Sequence, residues 1–380
     1  MNSRFCCIKK KISLLLIICL VAPILSGCWD SYDIGDMDIV LSAFADYKDE
    51  EYTVYLELAK SFGDMQSKQG RTDASSIIMG KGATYEEAIS MVEATADNKL
   101  YTNAIQTLVL GENLVKEEGV SEIVERVRGD QEYRNNIDIF VTTEDIKAMT
   151  EVEPNNNVYL GTSLRQTIVS SEEDGQDSTC KFQNIMRMEA AKNVNFLVPM
   201  VCLNEKNYIV HGYAIFDGYK MVGAIPIEEK KGLVTVTNPR ASFEYKVRDE
   251  ENIHYFVVEK VKGDVKTNLD ETTGIVTFIM DYKFDANYIS SEVFQKLNGE
   301  HLKEFIPDLQ AQIYQNIADE LWRSQQEYGI DYLGLYRYFR ANYYSEFKNS
   351  DWREMYKNAK FEINVNIDLE DVNDQNLEAE

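Results

Sequence analysis

The sequence predicts an α+β fold in three units, and three observations carry that reading. Segments of helical period and of strand period mix along the first half without a regular βα repeat. Residues 195–239 turn strand-rich around an Asp-Gly pair. The end of the chain joins a long helical stripe to an alternating strand.

The first 27 residues contain no acidic residue. Arg4, Lys9, Lys10 and Lys11 precede the apolar run ISLLLIICLVAPIL at 12–25. Fourteen residues rise about 21 Å as a helix, short of a bilayer core of about 30 Å. A basic head before a short apolar run predicts a signal peptide over 1–27. The run ends in Leu25-Ser26-Gly27-Cys28, which resembles a bacterial lipobox. Small residues there would let a peptidase and an acyl transferase reach the thiol, so Cys28 is the expected lipid attachment point. It would carry a diacylglycerol and an N-acyl lipid such as palmitate, which is enough for stable anchoring without a spanning helix.

The next unit is expected over 28–190. An apolar run closes at Phe44, and a strand follows over 52–58, where Tyr52, Val54, Leu56 and Leu58 alternate with other residues. Residues 61–73 read as a loop and 75–80 as another strand. Thr84 and Glu87 stand in capping-box relation before a helix with Tyr85, Ala88, Ile89 and Val92 on one face. A strand over 105–110, helix over 112–128 broken near Gly119, a strand over 137–141 and a cap at Thr142 and Asp145 complete the pattern. Loops are expected at 150–158 and 172–178, with helical pattern around the second.

A small β-rich middle unit is expected over 191–240. Strands at 213–216 and 221–225 flank Asp217-Gly218, a strong hairpin signal, and 234–236 reads as a further strand. The last unit, 241–380, opens with strands at 255–261 and 275–284. A helical region follows over 291–328, with Phe305, Leu309, Ile313, Ile317 and Leu321 every four residues. Pro307 should kink this stripe or start a second helix. In the final strand Phe361, Ile363, Val365, Ile367 and Leu369 alternate with polar residues, so one face should be buried and the other wet.

The chain has 380 residues, 39 Lys plus Arg against 64 Asp plus Glu, and a formal charge of -25. Loss of the signal segment and its four cations brings this to -29 over 353 residues. Such acidity argues against nucleic acid, because phosphate binding depends on clustered Lys and Arg. It also means that lipid, not charge, would hold the chain at an anionic membrane. Only Cys180 and Cys202 would remain besides Cys28, too few for a disulfide framework, and two unpaired thiols is the preferred reading.

His211, His254 and His301 lack metal-ligand spacing, and the acidic block Asp30, Asp33, Asp36, Asp38 lacks the EF-hand arrangement. No catalytic signature occurs, whether G-x-S-x-G, H-E-x-x-H, G-x-G-x-x-G or P-loop. GKGAT at 80–84 reads as a strand-to-helix turn. No catalytic residue, metal site or dissociable cofactor is expected.

Several segments together resemble the Ger(x)C family, the lipoprotein C subunits of spore germinant receptors. Cys28-Trp29-Asp30, followed by Ile34 and an apolar strand, is similar to that family's mature N-terminus. GKGATYEEAISMVEATADNKLYTNAIQTLVLGENLVKEEGV at 80–120 is similar to its central block, with Gly80, Lys81, Glu87, Ala88, Leu100, Tyr101, Val109, Leu110, Gly111 and Glu112 in place. GYAIFDGYKMVGAI at 212–225 resembles its hairpin, with Gly218 and Gly223. The tail at 338–370 resembles its closing helix, Trp352 and Asn-Val-Asn strand. DYLGLYRYF at 331–339 departs from the family's Asp-x-Phe-Gly-Phe-Gly-type stretch, and no Gly closes the last strand.

The resemblance implies a three-domain α+β lipoprotein on the extracytoplasmic face of the spore inner membrane in a sporulating bacterium. It implies partners, an integral-membrane A subunit and a transporter-like B subunit, and a response to nutrient germinants that releases ions and dipicolinate. The motif positions are expected to be structural, leaving a scaffolding or coupling role. An extracytoplasmic solute-binding lipoprotein is the alternative, although the strand-rich stretch from 195 to 285 does not suit two βα lobes; a carbohydrate-active enzyme ranks third.

Overall fold

A computed structural model describes residues 37–59, 75–129, 133–152, 159–249, 252–293, 297 and 299–370. The signal segment, Cys28, Trp29, Asp30 and the expected loop at 61–73 lie outside the described residues.

Two sheets organise the described chain. The first contains β1 (Met37–Lys48), β2 (Glu51–Ala59), β3 (Ser75–Gly82), β4 (Lys99–Tyr101), β5 (Thr107–Gly111), β6 (Asp138–Thr142), β7 (Asn195–Asn204), β8 (Asn207–Asp217) and β9 (Lys220–Pro226). Its order is β3-β2-β1-β5-β6-β7-β8-β9, with β4 also on β1. Strands β1, β5, β6 and β7 run parallel, and antiparallel hairpins flank them. Every residue of β5 and β6 is buried, so these strands read as apolar runs rather than alternations. The strands expected from 195–226 thus continue this sheet, joined through Val141 opposite Met200.

Helices cover both faces. One face meets α1 (Tyr85–Thr95), α2 (Glu112–Glu117), α3 (Ser121–Gly129) and α6 (Phe182–Ala190); the other meets α4 (Ile146–Thr150) and α5 (Leu160–Glu173). The expected break between α2 and α3 is at Gly119, whose φ of +82° suits glycine. Glu57, fully buried, is the partner of the α5 N-terminus. Its carboxylate accepts from Leu160 N (2.7 Å), Gly161 N (3.0 Å) and Ser42 Oγ (2.6 Å).

The second sheet has the order β10 (Ser242–Arg248), β11 (Ile253–Leu269), β12 (Val276–Ser291), β13 (Lys360–Leu369), with β13 parallel to β12. Strand β13 alternates as expected between exposed polar and more buried apolar residues. The stripe helix is α9 (Ile306–Trp322), which buries Leu309, Ile313, Ile317 and Leu321, and Pro307 stands in its first turn. The remaining helices are α7 (Lys230–Thr237), α8 (Gly299–Lys303), α10 (Tyr336–Asn342), α11 (Tyr344–Asn349) and α12 (Trp352–Lys357).

Two expectations are corrected. Residues 234–236, read as a strand from their β-branched side chains, belong to α7. Leu233 and Val234 are buried there, and a side chain on Gly232 would meet the Asn316 carbonyl of α9 at 2.0 Å. Close packing of the two helices thus overrides the local β preference. The helix expected from 291 is also not continuous. Ser291 ends β12, α8 follows, and α9 begins only at Ile306 before a π-type turn at Arg323–Glu327.

The sheets share a core. Tyr213, Ile215 and Ile225 of the first sheet pack in the same cluster as Phe256, Phe278 and Met280 of the second.

Candidate functional site

The residues of the family-like motifs fall at three junctions. At the first, β3 meets α1. A Cβ on Gly80 would lie 2.2 Å from the Ala88 carbonyl and 2.6 Å from Val92 N, so glycine sets the approach of helix to strand. Thr84 Oγ1 accepts from Glu87 N (3.1 Å), and the Glu87 carboxylate accepts from Ala83 N (2.9 Å). The capping box therefore forms with its return bond one residue early. Lys81 pairs with Glu51 on the neighbouring strand at the exposed surface, which contributes little.

The second junction joins β5 to α2. A Cβ on Gly111 would fall 2.1 Å from Asp46 Oδ1. Burial raises the Asp46 carboxyl above the usual range, opposed by the Tyr47 N–H that donates to it at 2.9 Å. Glu112 pairs with Lys116 one turn on, at 2.8 Å.

The third junction lies between the two sheets and brings together residues more than 100 positions apart. Gly218 has φ +63° and opens the two-residue turn between β8 and β9, as a type II′ turn requires. A Cβ on Gly223 would meet the Tyr328 hydroxyl at 2.2 Å. Asp217 receives the Arg353 guanidinium at 2.9 Å, tying the hairpin to α12. Beside Arg353, Trp352 is 6% exposed and its ring stacks on Phe339 with centroids 5.4 Å apart.

The Trp352 indole N–H donates to buried Asp331 (3.1 Å), which also accepts from Leu335 N (2.8 Å) and Tyr336 N (2.7 Å). Burial raises the Asp331 carboxyl, against these three donors. This is the conformation of the departing stretch at 331–339: Gly334 takes φ +72°, and Asp331 holds the first turn of α10.

A cleft of about 490 Å³ lies at this junction, between the α6–β7 turn, Asp217-Gly218 and the segment from Arg340 to Arg353. A second, of about 250 Å³, lies beside a buried network. In that network Asp177 accepts from Tyr213 Oη (2.6 Å) and Lys230 Nζ (2.8 Å), and Asn238 Nδ2 donates to the Asp177 carbonyl (2.8 Å).

Nothing in the described residues assembles a reaction centre from the histidines or thiols. Cys180 and Cys202 are free, and burial pushes the Cys180 thiol up to about 12, which suppresses its thiolate. His254 is buried between Asp249 (2.8 Å) and the Phe305 ring (4.4 Å between centroids). Among the described residues no group of three or more His, Cys, Asp or Glu could hold a metal ion, and no helix is long and apolar enough to cross a membrane. Gly218 and Trp352 share the larger cleft, whereas Gly80, Lys81 and Glu87 lie at the first junction and Gly111 and Glu112 at the second. Asp331, Arg353 and the Asp177 network were not singled out from the sequence. Only the Asp331 stretch and Arg353, next to Trp352, carried a local signal.

Residues 30–203 match the spore germination protein N-terminal domain, and 211–373 match the spore germination B3/GerAC-like C-terminal domain. Spore germination protein KC of Bacillus subtilis is 23% identical over 61% of this chain and 53% of its own length. The putative spore germination protein YfkR of the same organism is 27% identical over 30% of this chain and 31% of its own. Spore germination protein YndF is 16% identical over 95% of this chain and 97% of its own. The chain thus spans about half of the first of these relatives and under a third of the second. A crystal structure of the GerBC protein matches with TM-score 0.55 and 14% identity, covering 86% of this chain and 96% of that one, and so shares the α+β fold. The chain belongs to the spore germination GerAC-like family of germinant-receptor C subunits, a family with a role in spore germination.

Proposed function

We propose that this chain is a non-catalytic, lipid-anchored subunit of a nutrient germinant receptor that scaffolds or couples its membrane subunits. The anchor would be a diacylglycerol and N-acyl lipid on Cys28, holding the chain on the extracytoplasmic face of the spore inner membrane. The partners would be an integral-membrane A subunit and a transporter-like B subunit, as expected for C subunits of such receptors.

The observation that carries the coupling reading is the shared core. Tyr213, Ile215 and Ile225 of the first sheet pack with the second sheet, and Arg353 pairs with Asp217 across the same boundary. A force applied to one sheet is therefore transmitted to the other through packed side chains rather than a free hinge. Of the family-like glycines, Gly223 serves this boundary, since a Cβ there would collide with Tyr328, whereas Gly80 and Gly111 seat elements around the first sheet.

The test is recovery of partners. An affinity-tagged chain is purified from detergent-solubilised spore membranes, and co-purifying proteins are identified by mass spectrometry. Two integral-membrane proteins in stable proportion are expected. A chain recovered alone, with spores that still germinate normally after its deletion, would remove the receptor-subunit reading.

A further inference from the structure

We propose that the cleft of about 490 Å³ between the sheets is a binding site for a small organic carboxylate. Its size lies within the usual range for small-molecule sites. Four cations line it, Lys192, Arg340, Lys348 and Arg353, against two carboxylates, Asp217 and Asp351. This local excess of positive charge is the reverse of a chain whose formal charge is -25.

The two carboxylates are already engaged. Asp217 takes the Arg353 guanidinium at 2.9 Å, and Asp351 caps α12 by accepting from Glu354 N at 3.3 Å. Lys192, Arg340 and Lys348 have no ion-pair partner among the described residues, while the Arg340 guanidinium lies 5.8 Å from the Tyr344 ring centre. A free guanidinium presents a planar fork of donors that matches a carboxylate, and the two lysines add unpaired ammonium groups.

The apolar part of the wall is aromatic. Tyr344, Phe347 and Trp352 line the cleft, and Tyr344 is 58% exposed, a large apolar area for a side chain beside a pocket. A ligand with a flat or branched apolar body would cover these rings while its carboxylate reached Arg340.

The opposite wall is polar. Asn193 and Asn195, only 6% and 8% exposed, face each other at 2.8 Å. With the Asn195 amide turned so that its nitrogen donates to Asp217 Oδ1 (3.1 Å) and the Val194 carbonyl (3.0 Å), its oxygen faces the Asn193 amide at 2.8 Å and accepts from it once Asn193 is turned as well. One amide position of Asn193 is left without a partner in either orientation. That position is itself buried, so it is not part of the surface that a ligand in the cleft would touch.

Nothing in this assignment requires the lipid anchor or the membrane subunits, so failure of the receptor-subunit reading would leave it standing. The experiment is ligand-observed NMR on the full mature chain in lipid nanodiscs, with empty nanodiscs as reference. The probes are phenylacetate, hexanoate and succinate, beside the neutral phenylacetamide and the anionic phenylphosphonate. At least one carboxylate should bind saturably, with phenylacetamide at least about tenfold weaker than phenylacetate. Arg340→Gln should weaken the carboxylate about tenfold while leaving the unfolding temperature unchanged, because Arg340 makes no ion pair; Lys348→Gln should weaken it less. Absence of saturable binding by all three carboxylates overturns the assignment. So does equal binding of phenylacetate and phenylacetamide, or unchanged affinity in Arg340→Gln. Tighter binding of phenylphosphonate than of every carboxylate would replace it with a phosphate site.

Discussion

Replacing Trp352 with Phe probes the joint that holds α10, α12 and the second sheet together. The indole N–H is one of three donors on the buried Asp331 carboxylate, at 3.1 Å, and the ring packs against Phe339, Phe347 and Tyr356 with centroids 5.4–6.0 Å apart. Loss of a hydrogen bond to a charged, buried acceptor costs about 1.5–3 kcal/mol. The smaller ring leaves a void worth about another 1–2 kcal/mol. The expected destabilisation is therefore about 2.5–5 kcal/mol. In thermal unfolding followed by circular dichroism, this lowers the midpoint by roughly 5–20 °C, at about 2–4 °C per kcal/mol for domains of 150–250 residues.

A double-mutant cycle with Asp331→Asn isolates the bond itself. Coupling of about 1.5 kcal/mol or more between the two positions is expected, since each single change removes the same charged contact. A midpoint for Trp352→Phe within 1 °C of the parent chain, or additive effects in the cycle, would refute the reasoning.

Gly80→Ala places a methyl group 2.2 Å from the Ala88 carbonyl. The helix α1 must move off β3, which costs about 1–3 kcal/mol in chemical denaturation; an unchanged midpoint would mean that the glycine is not required by packing. Glu320, 1% exposed, bonds Tyr332 Oη (2.9 Å) and Arg323 (2.8 Å), yet burial pushes its carboxyl up to about 7. Because the folded value exceeds the unfolded 4.5, the folded state binds the extra proton, and the stability from this group is present below about pH 4.5 and lost as pH rises through 7. The change is about 3 kcal/mol at one pKa unit per 1.36 kcal/mol. Glu320→Gln should flatten the stability profile between pH 4.5 and 7, and an unaltered slope would contradict the assignment.

What could be read from the sequence was local. The stripe of α9, its start at Pro307, the break at Gly119, the hairpin around Gly218 and the alternation of β13 all depend on residues within a few positions of one another. What escaped depends on distant contacts. The β-branched residues at 234–236 became helix because Gly232 presses on Asn316, 84 positions away. Arg353 and Asp217 are 136 positions apart, and Lys230 and Asp177 are 53 apart, so no spacing in the chain announces either pair. The same holds for the cleft: Trp352 and Gly218 are each notable as motif positions, but only folding places both around one cleft with Arg340 and Asn193.

The lipid-anchored receptor subunit is tested most directly by Cys28→Ala expressed from its own promoter in sporulating cells. Spore membranes are separated from soluble material, the chain is quantified in both, and the rate of nutrient-triggered germination is measured in parallel. The account predicts loss of the chain from the membrane fraction together with a slowed or abolished nutrient response, while stability of the folded chain is unchanged. Full retention in the membrane with a normal germination rate would contradict it.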